Sequence, residues 1–202
     1  MTDEIQTWRL QLSLMRDGDL PSLWRWRNSA DFKQFCTMRK SCISLEEFAR
    51  ELSSDFARDR FCQMIIRLRQ NGRSREIGTI YCYNLNRQHG YAFVTIYIDS
   101  EFQKRGYGAE AFASFIAGIF ATVPELHKIY AEAYSINEKS ISCLRAAGFV
   151  QEGCFREHSV INNNRCDLLR FALFRRQFDT NAHLLRWLRS KSERICRANI
   201  KN

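Results

Sequence analysis

The chain of 202 residues has few of the features that mark linkers, repeats or membrane segments. It contains only two prolines and nine glycines, and neither an internal repeat nor a low-complexity segment is evident. The longest apolar stretch, 109–123, is too short to cross a bilayer. The N-terminal sequence lacks the basic and apolar regions of a secretory signal. These absences predict a cytoplasmic protein.

The eight cysteines form no CxxC pair and show no metal-ligand spacing. Because the chain is long and lacks a secretory signal, we expect reduced thiols rather than disulfides, and no bound metal. The chain has fewer acidic than basic residues, with 22 Asp and Glu against 31 Lys and Arg, and its formal charge is therefore +9. Such a chain attracts anions, which include nucleic acid, membrane surfaces and phosphorylated ligands. Charge alone does not choose among them.

Hydrophobic periodicity predicts one domain with the order β α α β β β α β α β β, followed by a tail. The predicted strands are 8–16, 61–69, 76–85, 90–99, 127–135, 149–161 and 165–174. A buried helix over 108–123 should join the fourth and fifth strands by a right-handed crossover within one sheet. Antiparallel hairpins flank this unit. The expected fold class is therefore α+β (mixed α/β), built on a mixed sheet.

The two helices between the first and second strands have recognisable starts. The first is predicted to begin after Asp19 as its N-cap, which leaves Arg25 and Arg27 facing solvent or a ligand. The second is predicted to begin at Ser44, which forms a capping-box pattern with Glu47.

The loop QKRGYGA, 103–109, connects the aromatic strand 90–99 to the buried helix. Amides at a helix N-terminus lack intrahelical partners, and the helix dipole is positive there, so an anion fits. The loop is neither a P-loop nor a GxGxxG dinucleotide fingerprint. From these residues alone, a plain turn is the alternative to a phosphate site.

The loop matches Q/R-x-x-G-x-G/A, the signature of the GCN5-related N-acetyltransferases (GNAT). The matching residues are Gln103, Lys104, Arg105, Gly106, Tyr107, Gly108 and Ala109. A second segment resembles the family's N..S...L...GF pattern, with Asn137, Ser140, Leu144, Gly148 and Phe149. The C-terminal hairpin is similar to those of the RimJ/RimL subfamily and of spermidine acetyltransferases. The resemblance covers Trp8 to Phe178.

The resemblance implies a GNAT domain over 8–178, followed by a basic amphipathic helix over 179–202. It implies a twisted, mostly antiparallel sheet of six or seven strands, splayed at an acetyl-CoA cleft and flanked by about four helices. Acetyl-CoA would be the co-substrate, with its pyrophosphate on the 103–109 loop. Backbone groups around Ile96, Tyr97 and Ile98 are implied to pair with the pantetheine arm. Asn137 is implied to contact the pantetheine side, and Ser140 is implied to belong to the cofactor site. For Asn137, a helix N-cap is the alternative role, and both roles are compatible.

By the same resemblance Glu132, five residues before Asn137, is the expected general base, and an exposed strand residue paired with a basic side chain is the alternative. Two positions depart from the family. Phe93 stands where many RimL-like enzymes carry a glutamate, and Leu144 stands where many relatives carry a tyrosine acid. Tyr134, on the same strand face as Glu132, is the candidate substitute acid.

The expected reaction is direct acetyl transfer in a ternary complex to a primary amine, which could be a peptide N-terminus, an amino sugar or another small amine. Trp24, Trp26, Arg25 and Arg27 are candidates to line a pocket for an anionic or sugar-like acceptor, or else are core and solvated face. His158 is a further candidate for the acceptor pocket. Spermidine is less expected, because acidic residues are sparse in these segments.

Two further possibilities concern partners. The basic tail is predicted to pack on the domain or on a second subunit of a homodimer, with nucleic-acid or membrane-surface contact as the alternative. The rival function is a CoA-binding interaction or RNA-contacting module that has lost catalysis, which the two departures at Phe93 and Leu144 and the basic tail favour.

Overall fold

The computed structural model describes residues 3–37, 41–58, 60–70 and 73–180. The strands are β1 (Glu4–Gln6), β2 (Leu10–Leu14), β3 (Arg60–Gln70), β4 (Arg73–Asn86), β5 (Tyr91–Ile98), β6 (Lys128–Tyr134), β7 (Val150–Ile161) and β8 (Asn164–Phe174). The α-helices are α1 (Leu20–Arg27), α2 (Ala30–Phe35), α3 (Leu45–Arg58), α4 (Tyr107–Thr122), α5 (Glu138–Ala146) and α6 (Arg175–Thr180). Short 3-10 turns cover Asp17–Asp19 and Ser100–Phe102.

All eight strands described here belong to one sheet, in the order β1-β2-β3-β4-β5-β6-β8-β7. Every neighbouring pair is antiparallel except β5 and β6, which α4 connects in parallel. The predicted α+β class and the mostly antiparallel sheet are confirmed. The sheet exceeds the expected six or seven strands because β1 is only three residues long, too short to give a periodic signal. The six described helices likewise exceed the expected four.

The helices cover the two faces of the sheet separately. Helix α4 packs its apolar residues, such as Phe115 and Ile119, against Leu12, Met64 and Ile80 on one face. On the other face, α1 and α3 bury a second cluster that contains Trp26 and Tyr97. Because side chains alternate along a strand, β5 contributes to both layers. The strand can therefore place functional groups on either side of the sheet.

The start of α1 differs in detail from the prediction. Asp19 is the N-cap residue, but its side chain makes no capping bond to α1 and instead accepts from the Arg16 N–H at 2.9 Å and from Arg67. Arg25 and Arg27 were predicted to face solvent or a ligand, and only Arg25 is exposed to solvent, with a side chain 61% exposed. Arg27 is buried at 5% exposed, because it follows Leu23 by one helical turn and shares its inward face.

The predicted start of α3 is confirmed, and two turns use residues that tolerate a positive φ. Ser44 accepts a hydrogen bond from the Glu47 N–H at the start of α3. Gly148 adopts a positive φ of 87° after α5. The β7–β8 hairpin turns at Asn162 and Asn163, both in the left-handed region that such a turn requires.

The C-terminal end of α4 is closed by one side chain from α6. The Arg175 guanidinium donates to the carbonyls of Phe120, Val123 and Leu126 at 2.7–2.9 Å. Those carbonyls lie at or just beyond the end of α4, where helix carbonyls have no intrahelical N–H donor. The contact holds the C-terminal end of α4, and the 103–109 loop lies at the N-terminal end of the same helix.

A tail helix was predicted over 179–202, and residues 181–202 of it lie outside the described part of the chain. Helix α6 ends at Thr180. Within the described part of the chain, no helix is long and apolar enough to cross a membrane. No disulfide joins the seven cysteines that the structure describes, and burial raises the pKa of the Cys62 and Cys82 thiols to about 12. Both thiols are therefore protonated and unreactive at neutral pH.

Candidate active site

A cleft opens where β5 and β6 separate. These strands pair only over Tyr91–Phe93 and Lys128–Tyr130. Beyond Phe93, β5 pairs with β4 alone, and beyond Tyr130, β6 pairs with β8 alone. The facing edges of the two strands therefore present backbone donors and acceptors that no strand ladder uses. An extended amide-bearing chain fits between such edges, and the predicted splay of the sheet is present.

A cavity of about 510 Å³ occupies this cleft. Its lining combines both strands with the start of α5 and with residues from β4 and β7. The lining includes Tyr81, Tyr83, Thr95, Ile96, Glu132, Tyr134, Asn137, Ser140, Leu144 and His158. The structure thus brings both predicted catalytic residues, Glu132 and Tyr134, into one cavity with Asn137 and Ser140.

The three residues expected to border the pantetheine arm have different surroundings. Ile96 lines the cavity. The Tyr97 ring instead packs against Trp26 and Phe32, with ring centroids 6.1 and 5.1 Å away. Ile98 lies beneath the first turn of α4. Their backbone follows the opened edge of β5, so any shared role belongs to the main chain.

The 103–109 loop has the geometry of an anion site. Lys104 and Gly106 have positive φ values of 60° and 79°, and Gly106 is the N-cap of α4. The N–H groups of Tyr107, Gly108 and Ala109 begin the helix and have no intrahelical partner. Backbone N–H groups in such left-handed turns converge on a concave anion site. The exposed Lys104 and Arg105 add positive charge.

Two contacts hold this loop in place. The Gln103 side chain donates to the Ile98 carbonyl at 3.0 Å, which ties the loop to the end of β5. Arg9 donates through Nη1 to the Arg105 carbonyl at 3.0 Å, and its guanidinium lies 4.4 Å from the Tyr107 ring centroid. The loop is therefore anchored from both sides of its turn.

Glu110, in the first turn of α4, is the buried acceptor that positions Arg9. Its side chain is 2% exposed and accepts from Thr7 Oγ1 at 2.6 Å, from the Arg9 N–H at 2.9 Å and from Arg9 Nε at 2.8 Å. Sequence analysis missed this network, because the partners lie about a hundred positions apart. The available signal was a carboxylate inside an otherwise apolar helix, which requires a partner when buried.

Replacing Glu110 with alanine is expected to lower the free energy of unfolding by about 3 kcal/mol, because it removes one member of a buried ion pair. Urea unfolding followed by circular dichroism measures the change. The exposed Glu101, which pairs with Arg75 at 2.8 Å, provides a matched Glu→Ala control with an expected change below about 1 kcal/mol. Equal effects at the two sites would contradict the role given to Glu110.

Glu132 faces the cavity from β6 and is paired with Arg170 on the adjacent β8. Arg170 Nε and Nη2 both donate to Glu132 Oε1, at 2.9 and 2.7 Å. Within the described part of the chain, Oε2 accepts no hydrogen bond. The guanidinium is itself held over the rings of Phe93 and Phe155, at 5.2 and 4.9 Å. One carboxylate oxygen is thus fixed, and the other is left for a ligand or water.

Arg170 was not found from the sequence. Its pairing with Glu132 depends on the β6–β8 register, which joins residues 38 positions apart. The alternative considered for Glu132, pairing with a basic side chain, is present in the structure and is compatible with a role in catalysis. A base held by a second group is the usual arrangement of a general base.

Two tyrosines line the cavity and carry hydroxyl groups that can donate a proton. Tyr134 is 8% exposed and lies two residues beyond Glu132 on the same strand face. Tyr83 was not singled out from the sequence, although the alternation of Tyr81 and Tyr83 along β4 was the signal. Burial, and next the nearby Tyr81, raises the pKa of Tyr83, so its hydroxyl stays protonated at neutral pH. Leu144 lines the cavity and supplies no acid.

Asn137 and Ser140 shape the start of α5. Asn137 is the N-cap, and its Oδ1 accepts from the Ser140 N–H at 3.2 Å. The capping role is therefore present, and the residue also lines the cavity. By contrast, Trp24 and Trp26 donate to the Ile43 carbonyl and to Asp99, and neither lines the cleft cavity.

Comparison with known proteins agrees with this geometry. The family described as Acetyltransferase (GNAT) domain matches residues 9–150. A spermidine N(1)-acetyltransferase of Vibrio cholerae is 25% identical over 172 residues, which cover 84% of this chain and 95% of the relative.

Solved structures show the same fold. The crystal structure of the spermidine N-acetyltransferase from Vibrio cholerae with CoA and spermine superposes with a TM-score of 0.74, at 23% identity, over 84% of this chain and 98% of that one. The structure of the ribosomal L7/L12 alpha-N-protein acetyltransferase RimL in complex with CoA superposes with a TM-score of 0.70 at 17% identity. The match covers 82% of this chain and 94% of that one.

The split sheet and the loop at the N-terminus of α4 thus define a CoA-dependent acetyltransferase. The chain belongs to the GNAT acetyltransferase family, with acetyl-CoA as its co-substrate.

Proposed function

We propose that this protein is an N-acetyltransferase of the RimJ/RimL-like type that transfers an acetyl group directly to a primary amine within a ternary complex. The observation that carries the proposal is the position of Glu132, which lines the cavity where β5 and β6 separate and has one carboxylate oxygen that accepts no hydrogen bond from a described residue. The acceptor is a peptide N-terminus, an amino sugar or another small amine.

Acetyl-CoA supplies an acetyl thioester, and the residues described above fit it. The amides and basic side chains of 103–109 suit its pyrophosphate, and Gly106 and Gly108 keep the backbone of that turn accessible. The opened edge of β5 around Ile96–Ile98 suits the amides of the pantetheine arm, next to Asn137 and Ser140. A main-chain N–H of this edge would donate to the thioester oxygen as negative charge develops there.

Proton transfer then falls to the side chains of the cavity. Glu132 accepts a proton from the amine, directly or through water, while Arg170 keeps the carboxylate oriented. The new C–N bond forms as the C–S bond breaks. Tyr134 donates a proton to the departing thiolate, in place of the tyrosine that many relatives carry where this chain has Leu144. No covalent enzyme adduct is needed, since both substrates lie in one cleft.

Release of free thiol from acetyl-CoA, measured with a panel of peptides, amino sugars and small amines including spermidine, tests this function. We expect thiol release that depends on the amine, with an acetylated product detected by mass spectrometry. Release that is independent of every amine class would contradict the proposal.

A second candidate is a CoA-binding module without catalysis. The ion pair between Glu132 and Arg170, together with Leu144 at the position of the usual acid, favours it. Retention of RNA at moderate salt, combined with no amine-dependent thiol release, is the outcome expected from that module.

A further inference from the structure

A second cavity lies next to the cleft, between the α1–α3 helices and the sheet. It has a volume of about 840 Å³ and shares Cys36, Thr37 and Tyr81 with the cleft cavity. The two cavities are therefore adjoining, and a molecule whose amine lies at Glu132 would extend its remainder into the second one. We call the second space the α1–α3 cavity.

One buried cation of this cavity has an atom without a hydrogen-bond partner among the described residues. Arg27 lines the α1–α3 cavity and is 5% exposed, and its Nη1 atom is buried without a hydrogen bond to any described residue. A buried guanidinium without an acceptor is costly, and such groups normally pair with an anion. Arginine is also the side chain best shaped to hold a carboxylate or phosphate with two parallel bonds. The unpaired atom therefore indicates a missing anionic ligand.

The other charges of the cavity argue against a polycation as the occupant. Glu47 and Glu51 on α3 line the cavity, and so do the basic Arg50 on α3 and Arg27 on α1. Among the described lining residues, two acidic and two basic side chains therefore leave no net negative charge. A polyamine would have to approach the buried Arg27, which disfavours it, whereas an amine that carries an anionic group matches both signs.

We propose that Arg27 determines acceptor specificity by binding a carboxylate or phosphate on the acceptor amine. This inference rests on the proposed acetyl transfer. The amine is presented to Glu132 in the cleft, and the anionic group occupies the α1–α3 cavity. Arg27 is a binding residue that contacts the acceptor far from the reacting nitrogen, so it affects KM more than kcat.

Matched pairs of acceptors test this proposal on the full-length protein. The carboxylate arm compares ω-amino acids of increasing length with alkylamines of equal length, and the phosphate arm compares glucosamine 6-phosphate with glucosamine. We expect the anionic member to have a kcat/KM at least about tenfold higher in one arm, and the arm identifies the anion. Equal kcat/KM within both pairs, or a preference for polyamines, would overturn the proposal.

Two variants of α1 locate the effect. In Arg27→Met the preference is expected to disappear, because the KM for the anionic member rises. Arg25→Met is the matched control, since Arg25 lies on the same helix with a side chain 61% exposed, and it should keep the preference. An Arg27→Met enzyme that keeps the wild-type preference would overturn the proposal.

Stability and binding measurements separate this proposal from the function on which it rests. Replacing an incompletely paired buried cation with an apolar side chain is expected to keep or raise the Tm of the unliganded protein. If no amine is acetylated, the proposed function fails, but glucosamine 6-phosphate and 6-aminohexanoate still serve as probes of Arg27. A Tm increase with either probe in wild type and none in Arg27→Met supports the anion site, and no increase in wild type overturns it.

Discussion

The Glu132→Gln enzyme is expected to lose about 100- to 10,000-fold in kcat, the usual contribution of a positioned general base. Glutamine keeps an oxygen that can accept the bonds from Arg170 Nε and Nη2, so the β6–β8 contact survives. The substitution replaces the second carboxylate oxygen, which accepts the proton, with an amide nitrogen that does not. Steady-state kinetics with a saturating acceptor measure kcat, and calorimetry should show unchanged affinity for acetyl-CoA.

Glu152 provides the matched control for this substitution. It is an exposed glutamate on β7 that pairs with Lys128 at 3.1 Å, outside the residues lining the cleft cavity. Glu152→Gln should therefore leave kcat unchanged. If Glu132→Gln retains the wild-type kcat, Glu132 is only an ion-pair partner of Arg170, and the base must be sought elsewhere in the cavity.

The Gly108→Val protein is expected to fold normally but to bind acetyl-CoA on the order of 100-fold more weakly, a loss of about 2.8 kcal/mol. A Cβ at position 108 would lie 3.5 Å from Ile98 Cγ1, an ordinary contact, so the protein itself leaves room for it. A β-branched side chain next to the amides of this turn would hinder the close approach of the pyrophosphate to the backbone, which glycine allows.

Gly18→Val is the control for this change, since a Cβ there meets no atom within 4 Å and lies far along the chain from the loop. Calorimetry gives the affinity, and thermal unfolding confirms that both variants fold. Wild-type affinity in Gly108→Val would place the pyrophosphate elsewhere. A large fall in Tm would show that Gly108 is needed for folding rather than for binding.

The elements of the fold with a local signal could be predicted from the sequence. The apolar α4 and the glycines of its N-terminal loop each determine their own backbone, so their positions were found. The strand β1 was missed because three residues carry no periodicity. The short α2, at 30–35, was missed as well, and it buries none of its residues completely.

The site was predictable only in part, because its chemistry depends on partners distant in sequence. Glu132 was found through the family motif, but Arg170 becomes its partner only through the sheet register. Glu110 and Arg9 meet through the packing of α4 against the β1–β2 turn. Arg27 is different, because its spacing of four from Leu23 was visible and indicated the inward face of α1. Its charge led to the opposite expectation.

The central claim is that the amides of the 103–109 loop bind the pyrophosphate of the co-substrate. Calorimetric titration of the wild-type protein with CoA and, separately, with pantetheine tests it most directly, because pantetheine retains the thiol-bearing arm and lacks the nucleotide and its diphosphate. The account predicts clear heat with CoA and an affinity at least about 100-fold lower for pantetheine. Equal affinities, or no heat with CoA, would contradict it.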